Sequence, residues 1–231
     1  MTPPRPREIM VAAAAREIRD GDVVFVGMRL PLIGFAVAKM THAPQAIGFF
    51  ENGLIRETPA DGFVLTMGDG PNVAGATSAT TLADVMGMLQ GGRVDVGFLG
   101  GAEVDAVGNL NTTRVGSTRL PGSGGGSDIA AHAKRSVYIM EHERRRFVER
   151  VAYITSLPRG AVTLITTLGV FALGGGAAPR AVSLHPGVAE ATVREATGFA
   201  LDFTGATETA APTQAEAAAI RTADPNGFWT R

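Results

Sequence analysis

Short apolar runs that end on glycine recur along this chain, and they restrict its fold more than any other feature. Val23-Val24-Phe25-Val26 stops at Gly27, the strand-like stretch Val94 to Leu99 stops at Gly100-Gly101, and Ile47-Gly48-Phe49-Phe50 stops at the turn Glu51-Asn52-Gly53. Runs this short and this apolar suit strands buried on both faces. Ser136 to Met140 and Ala161 to Thr166 read the same way. Helical stretches alternate with them. Residues 7–19 place Ile9, Met10, Ala13, Ala14 and Ile18 on one side, and Leu32 to Thr41 and Leu82 to Gln90 follow, the latter stopping at Gly91-Gly92. Ile129 to Ala133 opens another helix, and Val188 to Thr197 is a late one. The expected fold class is α/β, a layered open sheet, mostly parallel and flanked by helices. One domain is expected over residues 1–231, with 1–6 a flexible N-terminus. From about residue 204 a peripheral tail rich in Ala, Thr and Pro is expected, with one surface helix over Thr213 to Thr222.

Composition narrows the function classes. Thirty of the 231 residues are glycine, nearly double the average of roughly 7%. They cluster at Gly91-Gly92, Gly100-Gly101, Gly122 to Gly126 and Gly174 to Gly176, in a chain that is 45% hydrophobic. Such clusters in an aliphatic chain mark tight turns and close approach to a ligand, not disorder. Lys and Arg total 21 against 22 Asp and Glu, a formal charge of −1, which argues against a nucleic-acid partner. There are no cysteines, so disulfides, zinc–thiolate sites, iron–sulfur clusters and a Cys nucleophile are excluded. No apolar run is long enough for a membrane span, and the N-terminus lacks the apolar stretch of a signal peptide. A soluble, cytoplasmic protein without membrane association is expected.

In open α/β sheets, ligands gather beyond the carboxyl ends of the strands. Glu51 stands at such a place, directly after an apolar strand and before the strong turn signal Asn52-Gly53. An ordinary polar turn residue accounts for the same local pattern. The segment Gly122-Ser123-Gly124-Gly125-Gly126 precedes a helix, and its backbone N–H groups can converge on an anion or a developing oxyanion. It is neither a dinucleotide fingerprint nor a P-loop, and a plain flexible loop fits its composition equally. Weaker features are the run Glu141 to Arg146, which reads as a solvated face with carboxylate or phosphate binding by its arginines as the alternative, and His142, whose acidic neighbours lack metal-ligand spacing. His185 reads as a turn histidine. Glu103 and Asp105 place two more carboxylates after a strand.

Glu51-Asn52-Gly53, then Val94 to Asp105, then Gly108-Asn109-Leu110-Asn111 and the glycine loop occur in a recognisable order. Together they resemble the β subunit of family I coenzyme A transferases, in particular the glutaconate CoA-transferase B-type branch. Phe147 to Val151, Thr167 to Phe171 and Leu184 to Val188 extend the resemblance over about residues 7–200. It implies a ribose-phosphate-isomerase-like fold and makes Glu51 the nucleophile, with Asn52 and Gly53 its supporting turn. It implies that Gly124, Gly125 and Gly126 form the oxyanion hole and touch CoA, the N–H groups of Gly125 and Gly126 being the expected donors. The substrates implied are acyl-CoA and a free carboxylic acid, with no metal. The partner implied is an α subunit, in a heterodimer or an α2β2 assembly, because this length is one half of a family enzyme.

Relatives on the same scaffold act as acyl-CoA decarboxylases or hydrolases, and Ala219-Ile220-Arg221 and Asp224 to Phe228 resemble the decarboxylase branch. The nucleophilic Glu is typically replaced in those relatives, whereas Glu51-Asn52-Gly53 is intact here. A noncatalytic CoA-binding subunit is the alternative of a different class.

Overall fold

The computed structural model describes residues 3–231. Its first part runs α1 (Pro6–Arg16), β1 (Val23–Phe25), α2 (Leu30–Met40), β2 (Ile47–Phe49), β3 (Leu54–Arg56), α3 (Gly70–Val73) and β4 (Ser78–Ala79). Then come α4 (Leu82–Gln90) and β5 (Val96–Leu99), followed by two hairpins. These are β6 (Glu103–Val104) with β7 (Leu110–Asn111), and β8 (Arg114–Val115) with β9 (Thr118–Arg119). The remainder is α5 (Gly126–His132), β10 (Arg135–Met140), β11 (Ala161–Thr166), β12 (Gly169–Gly174), β13 (Arg180–Leu184), α6 (Glu190–Ala196), β14 (Thr207–Glu208) and α7 (Gln214–Ala223).

Ten strands form one sheet in the order β14-β13-β12-β11-β10-β5-β1-β2-β3-β4. Its centre, β11-β10-β5-β1-β2, is parallel throughout. Antiparallel pairs extend it on both sides, β11-β12-β13 and β2-β3-β4. The mostly parallel sheet is thus as expected, and the antiparallel wings are an addition to it.

Side-chain alternation explains why the central strands read as continuous apolar runs. Val24 and Val26, Val96 and Phe98, Val137 and Ile139 all enter one core, with Met10, Val11 and Ala14 of α1, Ile33 and Val37 of α2, and Ile220 of α7. Phe25, Leu99, Tyr138 and Met140 point the other way, to Val85 and Leu89 of α4, Ile129 and Ala130 of α5, and Val193 of α6. Both faces are covered, so most central-strand positions are apolar.

Two helix starts follow from capping boxes. Thr81 accepts from the Asp84 N–H while Asp84 accepts from the Thr81 N–H, and Thr213 and Glu216 do the same for α7. Each box satisfies donors that the first turn leaves open.

The segment after residue 204 is not peripheral, and this corrects the expectation. Ala219 and Ile220 of α7 are buried in the core against α1 and α2. Glu216 pairs with Arg16 of α1 at 2.7 Å. Beyond α7, the Asp224 carboxylate accepts the N–H groups of Phe228, Trp229 and Thr230, folding the chain end back on itself. The short alanine side chains of α7 carry too little hydrophobic signal to announce this packing. At the other end, residues 1 and 2 of the expected flexible segment lie outside the described residues. Arg5 and Pro6 are instead fixed by α1, whose Glu8 carboxylate accepts the Arg5 N–H at 2.7 Å. Among the described residues no helix is long and apolar enough to cross a membrane.

Candidate active site

Strand order reverses between β1 and β5: β1 pairs with the following β2 on one side and with the later β5 on the other. Connections leave such a pair in opposite directions, which opens a crevice at their carboxyl ends. A pocket of about 180 Å³ occupies it, lined after β1 by Val26, Gly27 and Met28 and after β5 by Gly100, with Glu51 on its wall.

Glu51 reaches the pocket on a tight turn between β2 and β3. The Gly53 N–H donates to the Phe50 carbonyl at 2.9 Å, and the Phe50 N–H to the Leu54 carbonyl at 2.9 Å. Gly53 has φ +95°, and a Cβ there would overlap the Thr80 carbonyl oxygen, so only glycine closes the turn. Asn52 ties the turn outward: its Nδ2 donates to the Met67 carbonyl at 3.0 Å. Asn72 donates to the same carbonyl at 2.7 Å. The loop carrying Met67 is in turn organised by Arg56, only 2% exposed, whose guanidinium donates to the carbonyls of Thr58, Pro59, Asn72 and Ala74.

The glycine loop meets Glu51 from the other side. The Gly125 N–H donates to Glu51 Oε1 at 2.9 Å. Gly125 caps α5 with φ −76°, so its backbone is ordinary. Its missing side chain matters more, because a Cβ would sit 3.2 Å from Glu51 Oε1 and 3.3 Å from Met86 Cε. Gly124, at φ +50°, would bring a Cβ to 3.4 Å of the same oxygen. The two expected donors separate here. The Gly126 N–H donates within the loop to the Ser123 carbonyl at 2.8 Å, and Gly126 contributes to the pocket wall. Thr112 also lines the pocket, and its buried Oγ1 has no partner among the described residues. The site therefore offers a half-buried carboxylate, one aimed N–H and one open hydroxyl around an apolar floor.

The other polar features serve structure. Asp105 is 2% exposed and accepts from the N–H groups of Val107 and Asn109 and from Asn109 Nδ2 at 3.0–3.2 Å. Glu103 accepts from Asn111 Nδ2 at 2.6 Å and from the Ala152 N–H. His142 stacks on Phe147 at 3.9 Å between Thr166 and Thr197, and burial pushes its pKa down to about 4. His185 is buried too, with Thr209 and the Thr166 carbonyl as partners, and burial lowers its pKa. Among the described residues no group of three His, Cys, Asp or Glu is placed to hold a metal ion.

The run from Glu141 to Arg146 is not wholly a solvated face. Glu141 and Arg146 line a second, larger chamber with Arg7, Arg29 and Trp229. Residue types alone do not single out Arg29. The Leu30-Pro31 step is its one available signal, since proline at the first helical positions makes the preceding residue a cap.

Residues 7–196 match the family model described as Coenzyme A transferase. The chain is 39% identical to the B subunit of the 3-oxoadipate CoA-transferase of Pseudomonas knackmussii, over 93% of this chain and 91% of that one. It superposes on the glutaconate coenzyme A-transferase of Acidaminococcus fermentans with a TM-score of 0.90 at 28% identity, covering 98% and 97% of the two chains. A structure of the decarboxylase AibA/AibB matches with a TM-score of 0.89 at 35% identity, covering 96% of each chain. With a family model spanning most of its length and relatives aligned nearly end to end, the chain belongs to the coenzyme A transferase family.

Proposed function

We propose that this chain is the nucleophile-bearing half of a heteromeric CoA-transferase that moves CoA from an acyl-CoA to a free carboxylic acid. The observation that carries this reading is the Glu51 carboxylate at a switch-point pocket, held by the Gly125 N–H at 2.9 Å. A carboxylate needs no general base to act as a nucleophile at neutral pH. Glu51 attacks the thioester carbonyl, giving an acyl-glutamyl anhydride and CoA thiolate. The thiolate attacks the glutamyl carbonyl, leaving Glu51 as a CoA thioester and releasing the first acid. The acceptor carboxylate then attacks that thioester, and the returning thiolate takes the new acyl group and frees Glu51. Each step passes through an oxyanion. The Gly125 N–H, which holds the resting carboxylate, is the donor placed to receive it, with the Thr112 hydroxyl nearby.

The Pseudomonas relative is the B component of its transferase, which supports a complementary A component as the partner here. A pocket open on one side is consistent with a second chain completing the CoA site. Decarboxylation is the second reading, favoured by the match to AibA/AibB. The intact Glu51 turn favours transfer. Co-expression with the partner chain and assay of CoA exchange between an acyl-CoA and a free acid tests the choice. Transfer requires ping-pong kinetics, abolished in Glu51→Gln. Decarboxylation by an enzyme indifferent to Glu51→Gln would replace this reading.

A further inference from the structure

The loop between β3 and β4 reaches the wall of the Glu51 pocket at Met67, and two asparagines meet on the Met67 backbone. Asn52, the residue after the carboxylate, donates from Nδ2 to the Met67 carbonyl at 3.0 Å, while its Oδ1 accepts the Leu54 N–H at 3.4 Å. From the other side Asn72 Nδ2 donates to the same carbonyl at 2.7 Å. A carbonyl oxygen has two lone pairs, so it can hold both donors at once. The Asn72 carbonyl in turn accepts from the Arg56 guanidinium, and Arg56 pairs with Gly48 across the β2-β3 ladder. The contacts therefore run in a closed circuit from β3 through Arg56, Asn72, Met67 and Asn52 back to the turn that carries Glu51.

Burial adds an independent observation. Asn72 is fully buried, and its Oδ1 has no partner among the described residues. Turning the amide over would not help, because it would aim Oδ1 at the Met67 carbonyl, acceptor against acceptor. The side chain borders a cavity of about 30 Å³ lined mainly by apolar groups, among them Phe35, Phe50, Val64 and Trp229. A buried acceptor left without a donor costs stability, and a leucine of similar size would avoid that cost. The one hydrogen bond that the Asn72 side chain makes among the described residues is the bond to Met67.

We propose that Asn72 is a positioning residue for Glu51: by sharing the Met67 carbonyl with Asn52, it holds the turn that keeps the carboxylate on the Gly125 N–H. The proposal rests on the transferase reading of Glu51. Asn72 does not itself line the pocket, so it acts on the geometry of the nucleophile and not on substrate contact. Without Asn72 the Met67 carbonyl shifts and takes Asn52 with it. Without Asn52 the turn loses the loop whatever Asn72 does. The two asparagines therefore act as one unit.

A double-mutant cycle tests this. Wild type, Asn52→Ala, Asn72→Leu and the double variant, each assembled with the partner chain, are mixed with acyl-CoA and no acceptor, and glutamyl-CoA formation is followed in a single turnover. Asn52 is exposed, so Asn52→Ala should fold. Asn72→Leu relieves the unpartnered acceptor, and its unfolding midpoint should stay near that of the wild type. Where leucine does not fit, Asn72→Ala removes the same donor without adding bulk. Each single change should slow adduct formation by about 10-fold, as expected of a displacement well under the 1 Å that costs about 100-fold. The acyl-CoA Kd should stay within about twofold. The double variant should also be slowed by about 10-fold, whereas independent sites would give about 100-fold. Adduct formation at the wild-type rate in the Asn72 variants, a loss carried by Kd, or an additive cycle would overturn the proposal. Absence of an adduct in the wild type would count against the transferase reading, and the same cycle run on turnover would then decide the positioning.

Discussion

Two segments of this chain put carboxylates just beyond a parallel strand, and the sheet treats them differently. After β2, Glu51 is half-buried at a pocket and receives one backbone N–H, from Gly125. After β5, Asp105 is nearly sealed and accepts three hydrogen bonds within its own turn, while Glu103 is taken up by Asn111 and Ala152. Both segments read in sequence as carboxylates following a strand. What separates them is the hydrogen-bonding capacity left over after folding. A carboxylate whose lone pairs are filled by its own turn fixes the loop. One with capacity to spare, facing a cavity, can react.

The sharpest way to break this contrast is reciprocal substitution in the assembled enzyme. Glu51→Gln should lower turnover by on the order of 10⁴-fold or more, as removal of a nucleophile does, with the unfolding midpoint nearly unchanged. Asp105→Ala should do the reverse. Stranding its buried donors should cost about 3 kcal/mol or more, read by denaturant unfolding, while the protein that remains folded keeps its kcat. If Asp105→Ala instead spares stability and abolishes turnover, the two roles have been exchanged.

Acid titration sharpens the comparison at a buried site of another kind, His142. His142 has a folded pKa of about 4, below its unfolded value near 6.5. Between those limits the unfolded chain binds a proton that the folded chain refuses. Stability is therefore full above about pH 6.5 and falls as pH drops towards 4, by about 3 kcal/mol. His142→Gln should flatten this limb in unfolding measurements across pH. A residual slope of the same sign is expected from His185, whose pKa burial also lowers.

The smallest expected effect is at the contact between the two sides of the site. In Gly125→Ala the added Cβ would press on Glu51 Oε1 at 3.2 Å and on the flexible Met86 Cε at 3.3 Å. A displacement of a few tenths of an ångström should lower kcat by about 10-fold, since misplacement by about 1 Å costs about 100-fold. The unfolding midpoint should hold, because φ −76° accepts alanine. Full activity in Gly125→Ala would show that crowding at this Cβ position does not displace the reacting carboxylate.

Much of this is legible in the chain, for identifiable reasons. α4 and β11 fall at the expected residues, α4 because the Thr81–Asp84 box and Gly91-Gly92 mark both ends. Glu51 stands out because strand, carboxylate and glycine turn lie within a few residues of one another. The antiparallel wing β12-β13 does not read as strands, since no helix separates them and pairing partners leave no local signal. Its turn is visible only as Gly174 to Gly176, each at positive φ. α1 ends at Arg16, short of the expected residue 19, although Ile18 remains buried. Arg56 is invisible because the four carbonyls it gathers converge only once the loop after it is folded, and Arg29 is marked only by the Leu30-Pro31 step that follows it. A buried arginine looks like any other arginine.

The most direct test of the nucleophile is to trap it. The assembled enzyme is incubated with acyl-CoA and no acceptor, quenched with borohydride or hydroxylamine, digested and mapped by mass spectrometry. If Glu51 is the nucleophile, the reduced or hydroxamate-modified residue lies in the peptide containing Phe49-Phe50-Glu51-Asn52-Gly53, and Glu51→Gln shows none. A turning-over complex with no adduct, or with the modification on another residue, would contradict it.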